Sequence, residues 1–312
     1  MKKLSFAAAF LSLFLLSGCA KPMSIPVLNG ESAETVEFKR GETIRGGALV
    51  YTADGNVFYA EDYKIKEELI GLILDPPDRR VTDAYCEAVS ALDCGEKVLL
   101  IYIDGLGFGT FQNALADGDV PALSTLHAEQ AASVFPTITP VNYAAMITGQ
   151  PPKENGVSQR GVHGLQCPTI FDYAAEKNIS SYASEGDTQI LKLNNAQLEL
   201  SPDLNGNGTS DDEIFDCAME AIGKYGLLFV HFHSVDDTSH EYSPESREAR
   251  KALIRVDGWC GELMENWDGK VIITADHGQH TQDGTGDEVY SDRSGTHGDF
   301  AVSDIFVPFL TN

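Results

Sequence analysis

Residues 98–107 read Val-Leu-Leu-Ile-Tyr-Ile-Asp-Gly-Leu-Gly and decide the fold class of this chain. A run of apolar and aromatic residues from 98 to 103 is typical of a strand buried on both faces of a sheet. Asp104 follows this run, and two glycines after it allow the chain to turn. A carboxylate at the end of such a strand is well placed to project into a cleft, although a turn-forming Asp-Gly pair has the same pattern.

Similar runs continue along the chain and alternate with helical patterns. The predicted strands are 98–103, 132–135, 181–184, 227–232, 271–274 and 306–310. The predicted helices are 142–148, 170–176, 213–225 and 245–264. Apolar strands alternating with helices favour an α/β fold with a mostly parallel central sheet, in which ligands bind beyond the carboxyl ends of the strands.

The first residues form a targeting segment. Lys2 and Lys3 precede an apolar run at 4–16, which is too short to be a comfortable membrane-spanning helix. The order Leu-Ser-Gly-Cys at 16–19 resembles a bacterial lipoprotein signal, in which Cys19 is acylated after cleavage. This resemblance implies a lipid anchor at the bacterial cell envelope; the alternative is a simple cleaved signal with an incidental cysteine.

The sequence pattern also predicts the domain organisation. We expect a signal peptide at 1–18, a polar tether at 19–45 and a single α/β hydrolytic domain at 46–312. Residues 46–95 form an extension packed on that domain, with short strands at 48–52 and 57–59 and a helix near 84–92.

The charge balance restricts the partners. There are 22 basic and 47 acidic residues, which give a net charge of −25. Such a field repels polyanions, so we expect no extended nucleic acid as a partner. Five cysteines follow Cys19; Cys86 and Cys94 are close enough in sequence to pair, but an odd number leaves the connectivity open.

Thr139 lies in a second decisive segment, Phe-Pro-Thr-Ile-Thr-Pro-Val-Asn-Tyr at 135–143. Pro140 suits the first position of a helix, so we expect Thr139 to be the N-cap. A helix start also offers N–H groups to a phosphate. A threonine there becomes a nucleophile only if a metal or a base lowers the pKa of its hydroxyl.

Further metal-competent residues follow other predicted strands. Asp236 and His240 are four residues apart after the strand at 227–232, and Asp276 and His277 follow the strand at 271–274. His297 lies in a glycine-flanked loop. Together with Asp104, these nitrogen and oxygen donors suit zinc, with other divalent transition metals possible.

These motifs resemble the alkaline phosphatase superfamily, in particular its nucleotide pyrophosphatase/phosphodiesterase branch. The segment 136–149 is similar to the nucleophile motif Pro-Thr-x-Thr-x-x-Asn followed by Thr-Gly. The segment 236–244 is similar to Asp-Ser-x-Gly-His-x-Tyr-Gly-Pro, although Ser239 and Ser243 replace glycines. Pro140 and Val141 replace the usual aromatic-Pro pair, and no nucleobase-binding insertion is recognisable.

The resemblance implies an alkaline-phosphatase-like three-layer α/β/α sandwich and a site for two Zn²⁺ ions. Asp236, His240 and His297 would hold one ion, and the other would be held by Asp104, Asp276, His277 and Thr139. Thr139 would attack a small phosphorylated substrate to give a phospho-threonine, and Asn142 would contact a phosphate oxygen. Two such ions stand roughly 3.5–4 Å apart in two-metal hydrolases.

Several alternatives stay open. A phosphomonoesterase or a phosphonoacetate-hydrolase-like enzyme would use the same chemistry, and a surface-binding lipoprotein with a vestigial site is a different class. His231 and His233 suit packing or support of a metal ligand better than ligation itself. Residues 203–208 superficially resemble a calcium loop, but an EF-hand needs Glu where Ile214 stands. Residues 210–213 fit a capping box better.

Overall fold

The structure is a computed structural model that describes residues 77–282, 294–298 and 301–312, together with the backbone of six strands between residues 23 and 64. The chain divides into two compact units. One comprises Met1–Asp78 with Asp299–Val302, and the other comprises Arg79–Gly298 with Ser303–Asn312. The predicted signal peptide at 1–18 and the predicted lipid anchor at Cys19 lie outside the described residues.

The first unit contains two small antiparallel sheets. Its strands are β1 (Met23–Asn29), β2 (Ser32–Phe38), β3 (Thr43–Ile44), β4 (Ala48–Tyr51), β5 (Val57–Ala60) and β6 (Tyr63–Lys64). One sheet has the order β2-β1-β4-β5, and β3 pairs with β6. The predicted strands at 48–52 and 57–59 are confirmed. Strands β1 and β2 also occupy part of the region 19–45, where we expect a polar tether. The boundary between the two units follows Asp78, which lies within the region 46–312 that we expect to be one domain.

The second unit carries one eight-stranded sheet with helices on both of its faces. Its strands are β7 (Arg79–Arg80), β8 (Val98–Ile103), β9 (His127–Ala132), β10 (Ser181–Glu185), β11 (Gln197–Leu200), β12 (Leu227–Phe232), β13 (Lys270–Thr274) and β16 (Phe306–Thr311). A separate short hairpin pairs β14 (His280–Thr281) with β15 (Gly295–Thr296). The helices are α1 (Asp83–Asp93), α2 (Phe108–Asp117), α3 (Thr139–Thr148), α4 (Pro152–Asn155), α5 (Ile170–Glu176), α6 (Asp211–Ala221), α7 (Ser234–Tyr242), α8 (Arg247–Glu265) and α9 (Val302–Ile305).

The large sheet has the order β11-β10-β12-β8-β13-β16-β9-β7. All neighbouring strands are parallel except at β16, which runs antiparallel to both β13 and β9. Every residue of β8 and β12 is buried, as expected for parallel strands covered on both faces. The mostly parallel α/β sheet predicted from residues 98–107 is therefore confirmed.

The side chains of β12 alternate between the two faces of the sheet and show which helix covers each face. Successive side chains of a strand point to opposite faces. The His231 ring lies 5.8 Å from the ring of Tyr143 on α3, whereas the ring of the next residue, Phe232, lies 5.7 Å from that of Trp259 on α8. One helix therefore covers each face of the sheet here, which gives the predicted α/β/α sandwich.

Some local predictions differ from the structure. The strand expected at 132–135 lies at His127–Ala132, because its first residues are polar and partly exposed and so carry no buried-strand pattern. Helices α2 and α7 were not predicted, and the short strands β7 and β11 were missed. Ser210 precedes α6 as expected, but its side chain makes no capping hydrogen bond. In the part of the chain that the structure describes, no helix is long and apolar enough to cross a membrane.

Candidate metal centre and nucleophile

The carboxyl ends of the central strands meet at one edge of the large sheet and bring the first two aspartates together. Asp104 follows β8, and Asp276 lies two residues beyond the end of β13. The backbone N–H of Gly105 donates to Oδ1 of Asp276 at 3.1 Å. Gly105 has φ +74°, and a Cβ there would lie within 2.9 Å of Asp236, so the position needs glycine. The Asp-Gly pair is thus both a turn and part of the site.

His277 lies between the two aspartates. Its Nε2 is 2.9 Å from Oδ2 of Asp276 and 3.6 Å from Oδ1 of Asp104, and all three side chains are buried. Burial and the charges of Asp276 and Asp236 raise the pKa of Asp104 well above its usual range. Burial alone would lower the pKa of His277, but the neighbouring carboxylates outweigh it and raise this pKa to about 10. The cluster therefore has a field that favours positive charge.

Asp236 and His240 form the second half of the site. They lie on α7, the helix that follows β12, and their spacing of four residues puts them on the same helix face. Nε2 of His240 is 3.3 Å from Oδ2 of Asp236, and Nε2 of His297 is 3.9 Å from Oδ1. The other ring nitrogens face backbone oxygens, that of His240 at Gly295 (3.0 Å) and that of His297 at Thr137 (2.8 Å).

The two halves are in direct contact. The rings of His277 and His297 stack with their centroids 3.6 Å apart. Ligand atoms of Asp104, Asp276 and His277 lie within 4.8 Å of one another, as do those of Asp236, His277 and His297. The structure therefore brings together all six predicted aspartate and histidine ligands.

The donor set fits divalent metal ions on two observations. First, donors that surround zinc tetrahedrally at about 2.1 Å lie about 3.4 Å apart, close to the 3.3 and 3.6 Å found here. Second, Oδ1 of Asp104 is buried and, among the described residues, accepts no hydrogen bond. Buried carboxylate oxygens without hydrogen bonds are costly, and a bound cation would compensate them.

Thr139 is the first residue of α3. The expectation that it caps the helix is wrong, because Ile138 is the N-cap and no side chain makes the capping hydrogen bond. Pro140 therefore lies one position further into the helix than predicted. Oγ1 of Thr139 is 3.4 Å from Nε2 of His277, and the side chain is 8% exposed. The hydroxyl thus lies at the border of the cluster, free of any capping role.

Asn142 is fully buried, and its side chain is bonded to the backbone before α3. Its Oδ1 accepts from the N–H of Val134 at 2.6 Å, and its amide nitrogen donates to the carbonyls of Val134 and Pro136 at 2.9 and 3.3 Å. Asn142 therefore braces the segment that carries Thr139. Its predicted contact with a phosphate oxygen stays a prediction.

His231 and His233 lie on the other side of Asp104. Nε2 of His231 is 3.2 Å and Nδ1 of His233 is 3.6 Å from Oδ2 of Asp104. These three residues also form a group whose ligand atoms lie within 4.8 Å of one another. Burial would lower the pKa of His233, but the Asp104 carboxylate outweighs it and raises this pKa to about 9.

Sequence reasoning missed several residues around the cluster. The amide of Gln279 donates to Oδ1 of Asp236, and Nη2 of Arg160 is 3.2 Å from Nε2 of His297. The hydroxyl of Tyr143 donates to the buried carboxylate of Glu185. Gln279 directly follows the motif at 276–278, so the sequence could have indicated that it lies near the site. Nothing in the sequence indicates that Arg160 reaches the site.

Two other expectations concern residues away from the cluster. Cys86, Cys94, Cys167, Cys217 and Cys260 are all free thiols, so the open question of a pair between Cys86 and Cys94 is answered in the negative. In the loop that resembles a calcium site, the Asp203 carboxylate accepts hydrogen bonds from the N–H groups of Gly206, Asn207 and Gly208. That carboxylate organises its own loop.

Comparison with known proteins identifies a family and related proteins. The sequence profile of the family described as type I phosphodiesterase/nucleotide pyrophosphatase matches residues 98–163 and 159–293. The chain is 28% identical to a 2,3-bisphosphoglycerate-independent phosphoglycerate mutase from Pyrobaculum calidifontis, over 44% of this chain and 33% of the mutase. It is 22% identical to venom phosphodiesterase 2 from Crotalus adamanteus, over 58% of this chain and 26% of the venom protein. The chain thus spans a third or less of the length of these relatives.

The fold also matches solved structures. Murine ectonucleotide pyrophosphatase/phosphodiesterase 5, in an inactive form in complex with AMP, superposes with a TM-score of 0.54 at 15% identity. The match covers 70% of this chain and 88% of the murine chain. The human protein of the same name gives a TM-score of 0.53 at 14% identity, with the same coverage. These similarities establish the fold of the large sheet and its helices.

Proposed function

Because this chain belongs to the type I phosphodiesterase/nucleotide pyrophosphatase family, we propose that it is a metal-dependent phosphoester hydrolase that uses Thr139 as its nucleophile. One observation carries this proposal: Oγ1 of Thr139 lies 3.4 Å from Nε2 of His277, beside three aspartates gathered from separate strand ends and a helix. Within that chemistry we propose a preference for phosphodiesters or pyrophosphates.

The reaction has two balanced steps. In the first, Oγ of Thr139 attacks phosphorus in line, the bond to the leaving oxygen breaks, and the proton of the threonine is lost as the leaving group gains one. In the second, water attacks the phospho-threonine, and the P–Oγ bond breaks to release the phosphorylated product and restore the hydroxyl. Zinc, or another divalent transition metal, would supply positive charge that lowers the pKa of the hydroxyl and balances charge on the phosphoryl oxygens.

The chain's own residues prepare this reaction. In this proposal Asp104, Asp276 and His277 would hold one ion, and Asp236, His240 and His297 would hold the other. Asn142 fixes the backbone before Thr139, and to contact a phosphate oxygen it would give up its longest bond, the 3.3 Å contact to Pro136. Burial of the cluster strengthens each electrostatic interaction within it.

The test compares bis-p-nitrophenyl phosphate with p-nitrophenyl phosphate, with zinc and with a chelator. We expect wild type to hydrolyse the diester faster, the chelator to stop the reaction, and Thr139→Ala to be inactive. Thr188→Ala, at an exposed threonine, is the matched control. Activity that survives the loss of Thr139 or of metal would contradict the mechanism. Faster hydrolysis of the monoester would point to a phosphomonoesterase, and zinc binding without turnover of either ester to a binding protein.

The anchor is a separate proposal. We propose that Cys19 is acylated and holds the protein at the bacterial cell envelope, on the basis of the sequence Leu-Ser-Gly-Cys at 16–19. In detergent phase separation of cells that express the full chain, we expect wild type in the detergent phase and Cys19→Ser in the aqueous phase. The same partitioning for both proteins would refute acylation of Cys19.

A further inference from the structure

Arg160 lies on a closed loop that runs from residue 156 to 166. The N–H of Gln166 donates to the carbonyl of Asn155 at 2.9 Å and joins the ends of the loop. Oδ1 of Asn155 accepts from the N–H of Val157 at 2.8 Å, and both Asn155 and Val157 are fully buried. A further backbone bond at 2.8 Å joins Lys192 to His163. The backbone around Arg160 is therefore fixed at both ends, which limits how far the side chain can move from the cluster.

The tip of this loop reaches the candidate metal centre. Nη2 of Arg160 lies 3.2 Å from Nε2 of His297. Nδ1 of His297 faces the carbonyl of Thr137 at 2.8 Å and must donate to it, because a carbonyl only accepts. Nε2 is then the accepting nitrogen, and the guanidinium donates to it.

The ion pairs of the described residues do not include Arg160. Other cations form ion pairs, such as Arg79 with Glu129, Lys177 with Asp93 and Arg250 with Asp117. Within the described ranges, no carboxylate lies at ion-pair distance from Arg160, although acidic residues outnumber basic ones by 47 to 22 across the whole chain. Among the described residues, this exposed guanidinium beside the candidate metal centre has no acidic partner, so it is available for an anionic ligand.

We propose that Arg160 determines substrate specificity by binding a second anionic group of the substrate, next to the phosphorus that Thr139 attacks. The proposal rests on the proposed function. The guanidinium fork matches the oxygens of a phosphate, phosphonate or carboxylate and can bind two of them at once. Since Nε2 of His297 has a single lone pair, Arg160 turns away from it when His297 binds a cation. Its N–H donors then face the substrate.

Three synthetic diesters test this inference: p-nitrophenyl phenyl phosphate and its analogues with a 3-carboxylate or a 3-phosphonate on the phenyl ring. The variants are Arg160→Gln, Arg160→Lys and, as a matched control, Arg255→Gln at an exposed arginine of α8. Binding is measured by calorimetry on the zinc-loaded Thr139→Ala protein, so that turnover is not required. Zinc content and circular dichroism are recorded for each variant.

We expect Arg160→Gln to weaken binding of the charged analogues by about tenfold or more, as for a lost hydrogen bond between charged groups. The uncharged ring should bind almost as before, Arg160→Lys should keep part of the affinity, and Arg255→Gln should change nothing. The carboxylate and phosphonate arms distinguish the two anions. In the active enzyme the KM for the preferred analogue should rise while kcat stays unchanged.

Equal effects on all three esters, or no preference of the Arg160 protein for a charged ring, would overturn the proposal. Loss of zinc from Arg160→Gln would also overturn it, because the side chain would then support the metal centre. If wild type binds the charged esters through Arg160 but hydrolyses none of them, the proposed function fails while this subsite stands. If Arg160→Gln does not fold, the lysine variant still tests the loss of the planar fork.

Discussion

Oδ2 of Asp104 lies 3.2 Å from Nε2 of His231, and this contact turns the other carboxylate oxygen towards the cluster. His233 faces the same oxygen through Nδ1 at 3.6 Å. Because the Asp104 carboxylate raises the pKa of His233 to about 9, Nδ1 carries a proton that faces Asp104. Both imidazoles therefore orient Asp104 as donors, which agrees with the supporting role expected from the sequence.

This relationship predicts the effect of His231→Phe. Phenylalanine keeps a ring against Tyr102, whose ring stacks on that of His231 with 4.2 Å between centroids, but it loses the hydrogen bond to Asp104. Loss of such a partner typically lowers metal affinity about 10–100-fold. Zinc competition with a chromophoric chelator measures the change, and His127→Phe, at an exposed histidine, is the control. Unchanged affinity in a folded His231→Phe protein would show that Asp104 needs no orienting donor.

Substitution of Thr139 should change the rate of hydrolysis far more than the free energy of unfolding. Because its side chain does not cap α3, Thr139→Ala should change the free energy of unfolding by less than about 1 kcal/mol. Hydrolysis should fall by about three orders of magnitude or more, since the nucleophile is removed. Urea denaturation and initial rates measure the two effects. Mass spectrometry of acid-quenched wild type should find a phosphoryl group on residue 139; a phosphoryl group elsewhere, or a large loss of stability, would contradict this assignment.

The sequence predicts those parts of the molecule whose patterns follow from burial. Residues 98–103 and 227–232 are apolar throughout because helices cover both faces of the sheet, and the strands occur at those residues. Ligands at strand ends could be predicted for the same reason, since parallel strands bring their carboxyl ends to one edge. The position of β9 could not be predicted in this way, because its first residues are polar and partly exposed.

Other features depend on tertiary contacts that no local pattern encodes. Asp211 looks like part of a capping box, yet its carboxylate accepts from the N–H groups of His233 and Ser234 at 2.8 and 2.9 Å and so holds the start of α7. Arg160 and His297 are 137 residues apart and meet only because a closed loop reaches across the site. Such contacts are set by the fold as a whole and are not visible in any single segment.

Glu185 gives a prediction about pH. Burial raises the pKa of this carboxyl above its ordinary value of 4.5, although the hydroxyl of Tyr143 partly compensates. Between the two values the native state binds more protons than the unfolded state, so the stability of wild type falls as pH rises through this window. Glu185→Gln has no such group and keeps an acceptor for Tyr143.

We therefore expect the free energy of unfolding of wild type, relative to Glu185→Gln, to decrease as pH rises above about 4.5 and then to level off above the folded-state pKa. Urea denaturation of both proteins over this range measures the difference. Glu199→Gln, at an exposed glutamate, is the control and should follow wild type. A difference that is constant with pH would show that Glu185 titrates alike in both states.

Gly278 fixes the backbone beside His277 because there is no space for a side chain. A Cβ at this position would lie 2.0 Å from the carbonyl oxygen of Ser303 and 2.6 Å from Cα of Gly107, and its N–H donates to the carbonyl of Asp304 at 2.8 Å. Gly278→Ala should therefore lower the free energy of unfolding by about 3 kcal/mol and weaken zinc binding, because the backbone must move next to a ligand. Gly258→Ala, in α8 with open space around its Cα, should instead stabilise by about 0.5–1 kcal/mol. Urea denaturation and zinc competition on both variants measure these opposite effects. Equal stability of the two alanine variants would mean that the close contact between Gly278 and Ser303 does not restrict the position of His277.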